Sequence, residues 1–266
     1  MSDKNDNIDE RNNKVQKTKA NADKSCQPLS FDSISSKLDS TKEWNTELST
    51  EANRMIRRIE TPEAEKVVFL TFDACGQGGL SDGYDSVLVK YLIEEQIPVT
   101  LFISRRWALK NPQALNSIIE NGNNLDIQNH GTQHVPLSSV GDSVYEIKGT
   151  NGMKEVYDEV EISSAFFCSK LGKKPDLFRP GTAYSDEQAV HFVNEMGYKV
   201  ISYSVLGDAG ATFKRERIKR NILNAHSGDI ILMHFNHPGS EVFLGVKDAI
   251  EELKGSVKFG LISDYL

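Results

Sequence analysis

The chain has 266 residues, with 31 Lys and Arg against 38 Asp and Glu, for a formal net charge of −7. Attraction to phosphate needs a basic face, so this balance argues against a general nucleic-acid binder, and no apolar run approaches the ~18 residues of a membrane-spanning helix. The three cysteines, Cys26, Cys75 and Cys168, are odd in number and far apart, which argues against a disulfide scaffold and gives no CxxC motif.

At ~150 residues per domain the length suits one large domain with an appendage. Residues 1–60 read as a tail, and 61–266 as a catalytic domain. Residues 1–28 are dominated by Asn, Asp and Lys. They have too little apolar surface to offset ordering entropy, so disorder is expected there. The stretch also lacks the apolar segment of a secretory signal. The expected location is therefore the cytoplasm, or the periplasm or exterior if an export signal has been trimmed away. The run ELSTEANRMIRRIE (47–60) is compatible with a short helix bridging into the domain.

From residue 66 the pattern changes. VVFLTF (67–72) is an apolar run of strand length. Tyr84, Val87, Leu88, Tyr91 and Leu92 then mark one face of a helix, with Asp82 placed to cap it. VTLFI (99–103) reads as a strand, 112–121 as a helix and LDIQ (125–128) as a strand. A long helix is predicted over 151–171, a short strand at LFR (177–179) and a helix over 185–197. YKVISYSV (198–205) reads as a strand, 214–226 as a helix and DIILMHF (229–235) as a strand. A last helix contains Phe243, Val246, Ile250 and Leu253, and FGLI (259–262) reads as a last strand. Strands apolar on both faces, alternating with helices, imply a mainly parallel sheet. The unit count suits an α/β fold of the closed or nearly closed (β/α) barrel type. In such barrels the chemistry sits at the carboxyl ends of the strands.

Those ends carry Asp73 (TFDACGQGG), His130 and His134 (NHGTQH), Arg179 (FRPGTAY), Asp208 (SVLGDAG) and His234 (ILMHFNHP). A single polar residue at a strand end usually just faces water, but a converging set of carboxylates, imidazoles and a guanidinium points to a catalytic rim. His130 and His134 have H-x-x-x-H spacing and would share a metal if the segment were helical. His191 and His226 fall in polar helices and read as surface residues. His237 either lines the same pocket or faces water.

The ordered set Asp, H-x-x-x-H, Arg-Pro, Asp, L-x-H resembles the NodB-like polysaccharide deacetylases, carbohydrate esterase family four, over roughly residues 66–266. The resemblance implies a deformed (β/α) barrel of the NodB-homology type. It also implies hydrolysis of N-acetyl groups on N-acetylglucosamine-containing glycan of the peptidoglycan or chitin kind, a cell-envelope substrate. By position it makes Asp73 the general base and His130 and His134 ligands of a divalent metal of the zinc type. Arg179 would orient the base, and Asp208 would tether either Arg179 or the acid histidine. Leu232 would wall the acetyl pocket, and His234 would be the general acid. A backbone N–H near Gly181 and Thr182 would add an oxyanion donor.

The chain departs from the family pattern at Ala74, where a second aspartate normally supplies the third metal ligand. It departs again at Thr182 and Ala209, where aromatic residues are usual. Cys75 is a candidate thiolate ligand, although packing is the preferred reading because its side chain is expected across the strand end from Ala74. Gly76, Gly78 and Gly79 suit a sharp turn or a close backbone approach. Ala74 leaves two alternatives open: a metal-independent C–N hydrolase on the same fold, or a non-catalytic glycan-binding relative.

Overall fold

A computed structural model describes residues 26–35 and 55–266. The expectation of disorder falls almost wholly on residues 1–25, outside the described residues, as do 36–54. The strands are β1 (Val67–Ala74), β2 (Val99–Ile103), β3 (Leu125–Asn129), β4 (Ser143–Val144), β5 (Ile147–Lys148), β6 (Leu177–Phe178), β7 (Lys199–Val200), β8 (Val205–Leu206), β9 (Ile230–His234) and β10 (Lys258–Phe259). The helices are α1 (Phe31–Ser35), α2 (Ser86–Glu94), α3 (Arg105–Lys110), α4 (Pro112–Asn121), α5 (Met153–Leu171), α6 (Glu187–Glu195), α7 (Arg215–Leu223) and α8 (Val242–Leu253). No described helix is long and apolar enough to cross a membrane.

The main sheet runs β7-β6-β3-β2-β1-β9-β8, with β10 added to the start of β1, and all of its pairings are parallel. It curls into the expected deformed barrel. An extended segment crosses the gap between the sheet's edges: Ile56 pairs with Ile201, just after β7, and Arg58 with Asp229, just before β9. This corrects the helix expected over 47–60, of which residues 55–60 are described and are extended.

The two-residue period of β1 sorts its side chains by face. Val68, Leu70, Phe72 and Ala74 join the core beneath the outer helices, packed with Leu88, Leu92, Trp107 and Val246. Val67 and Phe69 fill the barrel interior with Phe102, Ile201, Ile230 and Ile262. Further along the same face come Thr71 and Asp73, so the interior turns from apolar to polar toward the carboxyl ends of the strands. A third cluster packs α5 and α6 on the sheet through Val156, Val160, Phe178, Phe192 and Val200, with Ile34 of α1 seated against it.

Several local expectations are corrected. Helix α2 begins at Ser86 and is capped by Asp85, which accepts from Leu88 N at 3.0 Å. Asp82 instead lies in a short 3₁₀ turn and pairs with Lys110 at 2.7 Å. The strand expected over 198–205 is two short strands, β7 and β8, separated by the polar run Ser202 to Ser204. The last strand is Lys258–Phe259, and the chain then enters a 3₁₀ turn at Ile262–Asp264. One disulfide does form, Cys26–Cys168, with Cα atoms 5.7 Å apart across 142 residues of sequence. A separation that long leaves no local spacing signal.

Candidate active site

The carboxyl ends of β1, β3, β6, β8 and β9 surround a cavity of about 500 Å³ lined by Asp73, Cys75, His134, Thr182, Leu232 and His234, among others. Asp73 ends the polar interior face of β1 and is register partner to His234 on β9. Arg179, fully buried just after β6, reaches across the barrel. Its Nη1 donates to Asp73 Oδ1 at 2.7 Å and to Thr71 Oγ1 at 2.9 Å, and its Nη2 donates to the Ser202 carbonyl at 3.0 Å. Burial alone would raise the Asp73 carboxyl, but the Arg179 guanidinium above all outweighs it and holds it below the usual carboxylate value.

Asp208 tethers His234 rather than Arg179. One carboxylate oxygen meets His234 Nδ1 at 2.9 Å and the other accepts from the His234 backbone N–H at 2.6 Å. Burial would depress the imidazole, yet Asp208 and Cys75 hold it well above its ordinary value, which favours the protonated ring. The environments of Asp73 and His234 therefore push an acceptor and a donor of protons apart.

His130 and His134 do not sit on a helix, so the condition under which their spacing alone would align them is not met. They lie on an irregular loop after β3, with Gly131 at φ 85° and His134 at φ 58°. The loop is shaped by Glu159 of α5, whose carboxylate accepts from Gln133 N at 2.9 Å and from Val135 N at 3.3 Å. Burial pushes the Glu159 carboxyl up to about 7, against the opposing pull of these backbone N–H groups. The two imidazoles still meet, with ring centroids 4.6 Å apart. His130 Nδ1 faces the Arg179 carbonyl at 2.8 Å, which can only accept, so Nδ1 carries the proton and Nε2 the lone pair. Burial keeps His130 below its ordinary pKa. His130 Nε2 and His134 Nδ1 are both buried without a hydrogen-bond partner. Orphaned buried nitrogens are uncommon in folded proteins, and here they fit a cation.

Ala74, where the third ligand is expected in the family, points into the apolar core and offers no donor. Cys75 occupies the opposite side, as the alternation predicts, but that side is the cavity and not a packing niche. Its sulfur and the His130 and His134 nitrogens lie within 4.8 Å of one another. Burial would raise the Cys75 thiol, but His134 and His234 outweigh it and bring it down to about 7.

Leu232 on β9 and Thr182, in a turn with φ 64°, line the cavity. Gly181 lies beneath it, where a Cβ would come 2.3 Å from the His134 carbonyl carbon. Gly76, at φ 74°, packs directly on the backbone of Trp107. His237 lines the cavity beside His234, and His226 is exposed beside Asp229. Sequence reasoning missed Tyr145 and Tyr203, which also line the cavity, and Tyr184, which packs edge-on against Tyr145 at 5.8 Å. Tyr145 sits at the tip of the β4–β5 hairpin with φ 53°, and a two-residue hairpin carries too little pattern to be read from sequence.

Comparison with known proteins places the chain in a family. The family model for polysaccharide deacetylase matches residues 60–201. A peptidoglycan-N-acetylglucosamine deacetylase of Bacillus cereus is 26% identical over 212 residues, covering 78% of this chain and 91% of that protein. Among solved structures, a family 4 carbohydrate esterase of Bacillus subtilis superposes with a TM-score of 0.61 at 21% identity, over 80% of this chain and 85% of its own. A CE4 family pseudoenzyme of Bacillus anthracis superposes at 0.63 and 20% identity, over 80% and 69%. With the match spanning more than half of the chain, this protein belongs to the polysaccharide deacetylase family.

Proposed function

We propose that the protein removes N-acetyl groups from N-acetylglucosamine-containing glycan, of the peptidoglycan or chitin kind, by water attack assisted by a divalent cation. The observation that carries this reading is the placement across one cleft of Asp73, paired with Arg179 at 2.7 Å, and His234, paired with Asp208 at 2.9 Å. An amide is a poor electrophile, so its hydrolysis needs an activated water and a proton for the departing amine. A cation of the zinc type, with His130 and His134 among its ligands, would supply Lewis acidity toward the carbonyl and acidify a bound water.

Asp73 accepts the proton of the attacking water. A carboxylate held this acidic is a weak base, which is the physical reason a metal-free version of the reaction is disfavoured. Arg179 keeps Asp73 ionised and aims it, with three hydrogen bonds fixing the guanidinium. His234 donates its proton to the leaving amine, and Asp208 fixes the ring by its Nδ1 so that Nε2 faces the cleft. Leu232 gives the acetyl methyl an apolar wall. Tyr145 and Tyr203 offer aromatic faces to sugar rings in place of those missing at Thr182 and Ala209.

The test is acetate release from chitooligosaccharides and peptidoglycan fragments by protein loaded with zinc or cobalt. Turnover that falls by at least about 100-fold in Asp73→Asn and in His234→Ala supports the proposal. No acetate from either substrate overturns it. A non-catalytic relative would bind glycan equally well in wild type and Asp73→Asn without turnover. Such a glycan substrate, together with the Cys26–Cys168 disulfide, supports an oxidising, extracytoplasmic location.

A further inference from the structure

We propose that Cys75 is a thiolate ligand, closing a Cys–His–His set with His130 and His134 that selects a soft cation such as zinc or cobalt over magnesium or manganese. The inference rests on the metal-assisted reading above and replaces the carboxylate ligand that Ala74 cannot supply. Three observations carry it. The Cys75 sulfur lies within 4.8 Å of donor nitrogens on both histidines, so the three groups form one candidate ligand cluster. His130 Nε2 and His134 Nδ1 are fully buried and unpartnered, and the Arg179 carbonyl fixes the His130 tautomer so that the Nε2 lone pair is free. That lone pair faces Asp73 Oδ2 at 3.4 Å, an arrangement of two acceptors that calls for a cation nearby.

The competing use of the same sulfur is as a nucleophile activated by His234 and Asp208. It would leave both orphaned histidine nitrogens unexplained, whereas the ligand role accounts for all three groups at once. The donor set also decides the ion. Thiolate and imidazole favour zinc-type cations, while magnesium and manganese prefer oxygen. Three protein ligands leave a fourth position open, as catalytic zinc sites require.

The experiment uses the full-length protein under non-reducing conditions. Cys26 and Cys168 are then joined, and Cys75 is the only free thiol in the chain. Metal-free protein is titrated with cobalt(II), and the near-ultraviolet spectrum is followed for a thiolate-to-cobalt charge-transfer band. Wild type is expected to bind one equivalent with the band. Cys75→Ser is expected to lose the band and bind zinc at least about tenfold more weakly. Wild type loaded with zinc is expected to resist alkylation at Cys75, and manganese to give no protection.

Cobalt bound without the band, a band unchanged in Cys75→Ser, or no binding at all overturns the proposal. So does an acetyl group trapped on Cys75 and seen by mass spectrometry, which makes the sulfur a nucleophile. Acetate release without the band leaves the deacetylase reading standing and removes only the ligand. The band without acetate release keeps the ligand and removes the activity.

Discussion

Asp73 on β1 and His234 on β9 are register partners in adjacent parallel strands, so their backbones stand about 4.8 Å apart at the same height of the barrel. Equal placement gives them opposite charge states because their second neighbours differ: Arg179 for the carboxylate and Asp208 for the imidazole. The proposed acid and base roles would thus be set by two residues that reach them from just after β6 and from just after β8.

Asp208→Asn is expected to move the alkaline limb of the pH–rate profile to lower pH. His234 is held well above its ordinary value mainly by Asp208, acting against burial. Without the negative charge, burial wins and the protonated form is lost earlier as pH rises. A shift of roughly 1 to 3 units is expected, with Asn still able to accept from Nδ1. A kcat/KM profile of the variant that keeps the wild-type alkaline limb would remove His234 from the acid role.

The Asp73–Arg179 pair makes an acid-stability prediction. The folded pKa of Asp73 is lowered, so its stabilising contribution is complete above the unfolded value of about 3.9 and is lost as pH falls through the lower folded value. Asp73→Asn should flatten the dependence of unfolding free energy on pH in that acidic window. Arg179→Ala should cost ~3–5 kcal/mol, because it strands a buried carboxylate. Urea unfolding at several pH values measures both.

Much of this arrangement was legible because barrel strands bury both faces. Runs such as VTLFI and DIILMHF therefore announced β2 and β9 without help from periodicity, and the residue at each strand end followed. What was not legible depended on contacts distant in sequence. The loop carrying His130 and His134 takes its shape from Glu159, and no helical period stands behind the H-x-x-x-H spacing. Asp85 and not Asp82 caps α2, because the chain turns through a 3₁₀ segment at Gly79–Asp82, where Asp82 meets Lys110 of a helix not anticipated. Cys75 was readable in direction but not in surroundings, since a two-residue period tells which side a sulfur takes and not what waits there.

Tyr145→Ala is expected to raise KM for oligosaccharides by about 5- to 30-fold, an aromatic face being worth roughly 1–2 kcal/mol, with kcat nearly unchanged. The ring is exposed at the hairpin tip and lines the cavity. A fall in kcat with KM constant would mean that the hairpin orders the reacting centre instead of holding sugar.

Gly131→Ala tests how the metal-side loop is built. Gly131 has φ 85°, a conformation that strains any residue with a Cβ, and that Cβ would come 2.3 Å from Glu159 Oε1. Glu159 cannot yield freely, because its carboxylate accepts the backbone N–H groups of Gln133 and Val135 on either side of His134. The substitution should therefore displace the segment that carries His134 and cost ~1–3 kcal/mol through strain and lost hydrogen bonds. Zinc affinity should fall along with thermal stability. Glu159→Ala should do the same by removing the acceptor while relieving the clash, so the double variant should be less than additive. If each variant loses stability but binds zinc as tightly as wild type, the loop does not depend on Glu159 to place His134, and the two imidazoles find the ion by themselves.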